Sequence, residues 1–369
     1  MKLVHLADTH LGFRQFRRTV NGRNEREQDI YKAFAIAIER IIELRPDAVV
    51  HAGDLFDGFH PSSAALAVAL DGFEALRREQ IPVVCIAGNH STPRFTSAEH
   101  VFSILGRFDG IEVIWGEPRT VRLGELAVHG VPHQPHAQRL VGNLKDATPA
   151  DDAKFNVLVA HVGFDGLPLV GSAESNSVSL AGDDLEHVAN FDYIALGHLH
   201  EFGGARVNAV YSGSLERLSW HDRATEKGIV EIDLAQDPRS REFVRLHSLP
   251  ARRWVELDPI DASQVDGLTE AIIEAGTADE LAGAIVRVPI RNVTPAAFAS
   301  VDRVAVERAF AGCCHHELAP DILPAPADVA APSELRDYLL ARVPSGIDST
   351  EFVGRAQEYI ARADEEMAS

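Results

Sequence analysis

The sequence predicts an α/β fold: a large layered α/β domain, then a small α+β domain, then a helical tail. Three observations carry this reading. Five short apolar runs, VHLADTH, VVHAGDLFD, VVCIAGNH, VLVAHVG and YIALGHLH, each read as a buried strand that breaks into residues able to bind a metal. Between the first three lie stretches with apolar residues at helical spacing, so strand and helix alternate as in layered α/β domains. At 369 residues and 46% hydrophobic composition, the chain is long enough for a large core plus a second unit.

Residues 2–7 read as the first strand. A loop with Arg14, Arg17, Arg18, Arg23 and Arg26 follows DTHLG. Over residues 29–44, Ile30, Phe34, Ile38 and Ile41 recur at helical spacing until Arg45-Pro46-Asp47 stops the helix. The GDLFD strand comes next, and a serine cap at Ser62-Ser63 opens a second helix that runs through Leu76. Residues 81–87 read as the third strand, and Thr96-Ser97 caps a helix carrying Val101, Ile104 and Leu105. After Ile111 the rhythm changes: short strands at 112–115, 119–123 and 126–131 look like an added sheet edge, and 135–144 reads as helical. Residues 155–162 and 191–196 return to buried strand, separated by a Gly/Ser/Asn-rich loop over 163–182. A polar turn, YSGSLER, precedes strands at 228–234 and 242–249.

Pro250-Ala251-Arg252-Arg253 marks a boundary, so the large domain is assigned to residues 1–250. Residues 251–318 form a β-α-β-α-β sequence, sufficient for the small domain. A Pro/Ala-rich linker, 319–332, leads to the tail, 333–369, where Phe352, Ala356, Tyr359 and Ile360 share one side of a helical pattern. That side reads as a face for a partner helix or as a cover for the protein's own core, with the detaching linker favouring a partner.

The net charge of −20 and pI near 5.2 exclude a protein that grips nucleic acid by its overall field; local basic loops, bound cations or a partner must serve instead. The arginines at 14, 17, 18, 23 and 26 read equally as DNA-phosphate contacts and as a solvated loop facing Glu25, Glu27 and Asp29. Three cysteines are too few for a disulfide framework. With no signal peptide and no apolar run long enough to span a bilayer, the expectation is a soluble cytoplasmic protein.

In an open α/β sheet, ligands gather beyond the carboxyl ends of the strands. Five strand ends can therefore bring Asp8, His10, Asp54, Asn89, His161, His198 and His200 to one place. A pair of divalent ions needs a bridging carboxylate with nitrogen and oxygen ligands around it, and Asp54 is the natural bridge. Such ions lower the pKa of a bridging water and clamp a phosphoryl oxygen, which allows in-line attack on phosphorus. A mixed His, Asp and Asn set suits Mn, Fe, Co or Zn more than Mg or Ca. His90, beside Asn89, is a candidate general acid for the departing oxygen, and Asp57 the candidate to orient it. Cys313-Cys314-His315-His316 resembles a zinc motif, but neighbours on a strand point to opposite faces, which favours packing. His133 and His136, in PHQPH, lie on a loop and read either as histidines that approach substrate or, preferentially, as surface histidines.

DTH, GDLFD, GNH, AH and GHLH in this order resemble the calcineurin-like metallophosphoesterase superfamily. More narrowly, DTHLGFRQF, GRNEREQDIYKAF, GDLFDGFHPS, GNHS and YSGSLER are similar to the SbcD-like nucleases of DNA double-strand-break repair. The resemblance covers residues 1–249 well and the rest only in layout. It implies a four-layer α-β-β-α sandwich, a DNA-facing capping domain, and a C-terminal helical region docking on the coiled coil of an SbcC-like, SMC-type ATPase. It further implies two ions, manganese foremost, one held by Asp8, His10, Asp54 and His200 and the other by Asp54, Asn89, His161 and His198, with His90 as catalytic histidine. A homodimer through the catalytic domain is a common feature of the family. Asp57 falls where some members of the nuclease branch carry histidine, and Ser91 stands where an acidic residue follows GNH elsewhere. The expected function is thus a metal-dependent DNA nuclease, exonuclease or endonuclease, acting at or near DNA ends. A phosphodiesterase or phosphomonoesterase of small nucleotides is the alternative enzyme, and a non-catalytic DNA-end scaffold the alternative from another class.

Overall fold

The computed structural model describes residues 1–92, 100–165, 178–277, 279–323 and Arg355. Two six-stranded sheets organise residues 1–250. The first runs Val244–Ser248, Gly228–Asp233, Lys2–Leu6, Ala48–His51, Val83–Ile86, Ile111–Ile114. Its last four strands are parallel. The second sheet runs Gly203–Arg206, Ala209–Tyr211, Tyr193–Gly197, Phe155–His161, Leu126–Val131, Arg119–Leu123. Phe155–His161 is parallel to both of its neighbours.

The unbroken apolar runs follow from strands buried on both faces. Side chains alternate along a strand, and the core divides accordingly. Val4, Val49 and Val83 face the helices Glu25–Leu44 and Ser63–Arg78, whereas Leu3, Val50 and Val84 face the other sheet. In the second sheet Val157 and Val159 point inward, while Leu158 and Ala160 pack under the helix Ala137–Asp146. Helix, sheet, sheet, helix is the resulting layer order, as expected.

Several boundaries differ from the sequence reading. The first helix begins at Glu25, not residue 29, because Asn24 caps it by accepting from the Glu27 N–H at 3.2 Å. Ser62 caps the second helix as expected, accepting from Ala65 N–H at 3.2 Å. The supposed added edge is split between sheets: Ile111–Ile114 closes the first, and Leu126–Val131 lies fully buried inside the second. The strands Gly203–Arg206 and Ala209–Tyr211 were not anticipated, being short and polar-flanked. The Thr96-Ser97 cap and most of the 163–182 loop lie outside the described residues.

In the small domain, Trp254–Glu256, Ile285–Val293 and His315–Ile322 are parallel strands, with helices Leu268–Gly276 and Arg303–Ala309 in between. The last strand runs through Ile322, so residues 319–322 belong to the sheet and not to a linker. Cys313 and Cys314 do fall into different apolar clusters, and burial raises both thiols above their ordinary pKa. The tail from 333, apart from Arg355, lies outside the described residues. No helix among those described is long and apolar enough to cross a membrane.

Candidate metal centre

All nine residues expected at the site sit at or just beyond the carboxyl ends of five strands. The strand Lys2–Leu6 delivers Asp8 and His10; Ala48–His51 delivers Asp54 and Asp57; Val83–Ile86 delivers Asn89 and His90. From the second sheet, Phe155–His161 ends on His161, and Tyr193–Gly197 leads to His198 and His200. Because these strands are parallel within each sheet, their ends open on one edge of the sandwich.

The loops reach inward through backbone conformations that side chains seldom adopt. Asp8, His10, Asp54 and His198 have φ of 51°, 48°, 51° and 106°. Main-chain bonds lock two of these loops together: Asp8 N–H donates to Gly53 O at 3.0 Å, and His10 N–H to Asp54 O at 3.0 Å. Underneath, Thr9 Oγ1 and His51 Nε2 lie 2.7 Å apart, both buried. Two glycines make room. A Cβ at Gly53 would lie 2.2 Å from His161 Nδ1, and one at Gly88 would lie 2.2 Å from Asp54 Oδ1.

Asp8, His10 and His200 offer ligand atoms within 4.8 Å of one another, as do Asp8, Asp54 and His161. Asn89 Oδ1 stands 2.8 Å from His161 Nε2 and 3.3 Å from His198 Nδ1, and Asp54 Oδ2 is 3.1 Å from the same His161 nitrogen. The candidate ligands therefore form two adjoining groups that share Asp8, with Asp54 joined to the second through His161. Orientation of the rings is set from behind. His161 Nδ1 contacts Ala52 O at 2.8 Å and His10 Nδ1 contacts Asp57 Oδ1 at 3.2 Å, which turns Nε2 of each ring into the ligand atom. The His198 N–H donates to both Asp8 oxygens at 3.0 Å.

These donors fit a pair of divalent ions. Carboxylate, amide oxygen and imidazole are mixed in a buried site, and His10 Nε2 has no hydrogen-bond partner among the described residues, as befits a ligand atom. The electrostatics agree. Burial alone would raise the Asp54 carboxyl, but His161 beside it holds it well below the usual range. Burial would lower His161, yet Asp54 and Asp8 outweigh it and raise the imidazole to about 9.

His90 N–H donates to Asp54 Oδ1 at 2.9 Å, and its Nδ1 lies 2.9 Å from the backbone carbonyl of Asp57. The Asp57 carboxylate is 3.8 Å from that nitrogen. Asp57 therefore orients His90 chiefly by its main chain and spends its carboxylate on His10, a division of labour that sequence does not display.

The arginine loop resolves residue by residue. Arg14 is exposed and pairs with Glu27 at 2.9 Å; Arg17 is exposed; Arg18 pairs with Glu25 at 2.8 Å and donates to the carbonyls of Ala311 and Cys313. Arg26 is fully buried and bonded to Asp29, so it is no candidate for a phosphate. His133 departs from the preferred surface reading and lies on the side of the other one, near the site. It is 2% exposed, within electrostatic reach of Asp54, His161, His198 and His90, and its N–H donates to Ala87 O at 2.9 Å. The strand-end rule could have found it, since it lies two residues past Leu126–Val131, the neighbour of the strand ending in His161. His136 is exposed as expected.

Comparison with known proteins agrees with this geometry. Residues 1–202 match the model of the calcineurin-like phosphoesterase family. The DNA double-strand break repair protein Mre11 of Methanocaldococcus jannaschii is 31% identical over 275 residues, 70% of this chain and 69% of that protein. Mre11 of Sulfurisphaera tokodaii is 34% identical over 248 residues, 64% of this chain and 60% of that one. Mre11 of Sulfolobus acidocaldarius is 28% identical over 285 residues, 74% and 70% respectively. The chain spans between 60% and 70% of the length of these relatives. With its ligand-bearing loops at the ends of five strands and its match over more than half its length, the chain belongs to the calcineurin-like phosphoesterase family, among the relatives of Mre11.

Proposed function

We propose that this protein is a two-metal DNA nuclease that hydrolyses phosphodiester bonds at or near DNA ends. The convergence of Asp8, His10, Asp54, Asn89, His161, His198 and His200 beside His90 carries the reading. Bound there, two divalent ions supply an activated water at neutral pH and a clamp on the phosphoryl oxygens. The chain's own residues do the rest. Asp54, its Oδ1 accepting from the His90 N–H, would be the carboxylate shared between the two ions. His90, its Nδ1 held by Asp57 O, exchanges its proton at Nε2 and gives it to the departing oxygen. The mixed donor set favours manganese over magnesium. The names of the relatives support DNA as substrate, and the same kinship supports an SMC-type ATPase partner, docking through the tail, and a homodimer.

Digestion of end-labelled linear duplex DNA with manganese, alongside Asp54→Ala, tests this. Progressive shortening that the variant abolishes is the expected result. No DNA cleavage, with a bis-aryl phosphate still hydrolysed, would replace the nuclease reading by that of a small-nucleotide phosphodiesterase.

A further inference from the structure

We infer that Arg252 is a positioning residue that latches the small domain beside the metal cleft, and that this latch sets the preference for duplex DNA over small phosphodiesters. The substrate half of the inference rests on the nuclease reading above. Arg252 lies at the junction, two residues before the strand Trp254–Glu256. Its guanidinium grips Asp29 with two bonds, Nε to Oδ2 at 2.5 Å and Nη2 to Oδ1 at 2.7 Å, and also reaches Glu25 at 2.9 Å. On the other side, Nη1 donates to the carbonyl of Gly283 in the small domain. Its backbone N–H donates to both oxygens of Glu216 at 3.0 and 2.9 Å, and its carbonyl accepts from Arg217 Nη1 at 2.9 Å. Behind it, the buried Arg26 bonds Asp29 Oδ2 at 2.7 Å and the carbonyl of Arg217.

The helix Glu25–Leu44, the YSGSLER turn, the junction and the small domain thus meet on one residue, the turn at its backbone and the others at its guanidinium. Arg26, Arg217 and Arg252 face Glu25, Asp29 and Glu216, and Arg18 also pairs with Glu25, so the carboxylates of the cluster are met by cations as well as by hydrogen bonds. A planar, bidentate grip of this kind is one that lysine does not reproduce. The junction is also crossed by bonds from Arg18 to the carbonyls of Ala311 and Cys313, by an Arg223–Glu256 pair at 3.9 Å, and by ring contacts: Trp254 against Trp220 with ring centres 4.9 Å apart, Arg287 over Trp220 at 4.1 Å, and Phe16 on His315 at 3.7 Å. Interfaces between domains of one chain are mobile unless something large or specific holds them. Arg252, bonded to Asp29, Glu25 and Gly283 at once, is the most densely bonded of these holds.

The docked domain rests on the loop that leaves the candidate ligand His10. Phe16 and Arg18, which touch it, belong to the loop that leaves the ligand His10, where Phe13 N–H donates to His10 O at 2.9 Å. A small phosphodiester needs only the cleft. A duplex extends past it, over the loop and the domain resting on it, and its backbone contacts fix its register. Undocking therefore penalises the duplex alone.

The test compares the full-length protein with Arg252→Ala and Arg252→Lys, all loaded with manganese. Of three tryptophans, Trp220 and Trp254 sit at the junction, so intrinsic fluorescence reports docking. Arg252→Ala is expected to shift that emission, to keep metal content, and to keep kcat/KM for bis(4-nitrophenyl) phosphate within about twofold. The KM for duplex DNA should rise about tenfold or more, the scale of losing a charge-assisted bond, with lysine restoring part of it. If the alanine variant does not fold, the lysine variant, which keeps the charge and loses the grip, carries the same comparison. Equal losses on both substrates, or an emission shift with unchanged duplex cleavage, would overturn the inference. If the parent itself leaves duplex DNA intact, the nuclease reading fails on its own, and duplex binding by anisotropy becomes the readout; equal binding by parent and Arg252→Ala overturns the latch.

Discussion

Lys227→Met offers the sharpest trial of how the ligand loop of His200 is supported. Lys227 Nζ donates to His200 O at 2.7 Å, to Ser214 Oγ at 2.9 Å and to Asp222 Oδ2 at 3.1 Å. The ammonium is fully buried and the Asp222 side chain is 2% exposed. Methionine keeps the length and leaves Asp222 with its bonds from the Leu218 and Ser219 N–H groups, at 3.1 and 2.9 Å. Breaking a buried pair costs about 3–5 kcal/mol, and these residual bonds, with a third from Ser219 Oγ at 3.2 Å, place the cost at the lower end, about 3 kcal/mol. For a domain of this size that corresponds to a fall in melting temperature of about 6–12 °C by calorimetry. Adding Asp222→Asn, which removes the stranded charge, should recover at least about half of the loss. Burial would raise the Asp222 carboxyl, but Lys227 and the neighbouring N–H groups hold it below its ordinary 3.8. A carboxyl depressed in the folded state adds stability that is complete above the unfolded pKa and is lost as pH falls through the folded one. In the variant burial prevails and the folded state takes up the proton first, so the gap between parent and variant narrows as pH falls from about 7 towards 4. A Lys227→Met melt within about 2 °C of the parent would refute this account of the loop.

Three further outcomes are expected. Gly88→Ala places a Cβ 2.5 Å from the backbone nitrogen of Asp54, and should remove bound metal and turnover together; full metal content by elemental analysis would show that the loop can yield. His90→Ala should keep its metal but lose turnover on DNA, while an aryl phosphodiester with a good leaving group is partly spared; equal loss on both would remove the acid role. Because Asp54 and Asp8 raise His161 to about 9 against the effect of burial, loading the metal-free protein near pH 7.5 should release a proton and weaken as pH falls. Calorimetric heats that do not vary with the ionisation enthalpy of the buffer would contradict it.

The convergence of the candidate ligands was legible because each follows an apolar strand, and strand direction fixes where such ends collect. The two-faced burial of Val49 and Val50 likewise follows from an unbroken apolar run. What sequence hid was contact between distant backbone atoms. The Asp57 carbonyl on His90, the Lys227 ammonium under the His200 loop and the burial of Arg26 all depend on main-chain placement that no local pattern encodes. His133 was missed for a related reason: a PHQPH loop looks solvated until its neighbour strand is known.

The left-handed residues at the ligand loops bear on how such a protein changes over time. Non-glycine residues in that region cost about 1–2 kcal/mol apiece, and four of the ligands, Asp8, His10, Asp54 and His198, adopt it. Their side chains are therefore kept against the preference of the folded backbone. In a descendant relieved of hydrolysis, glycine or asparagine at these four positions would relax the chain and be stabilising, so decay of the activity and thermal hardening would proceed together. Glycine at position 8 or 198 in an otherwise intact homologue is then a mark of lost chemistry rather than of a loosened fold.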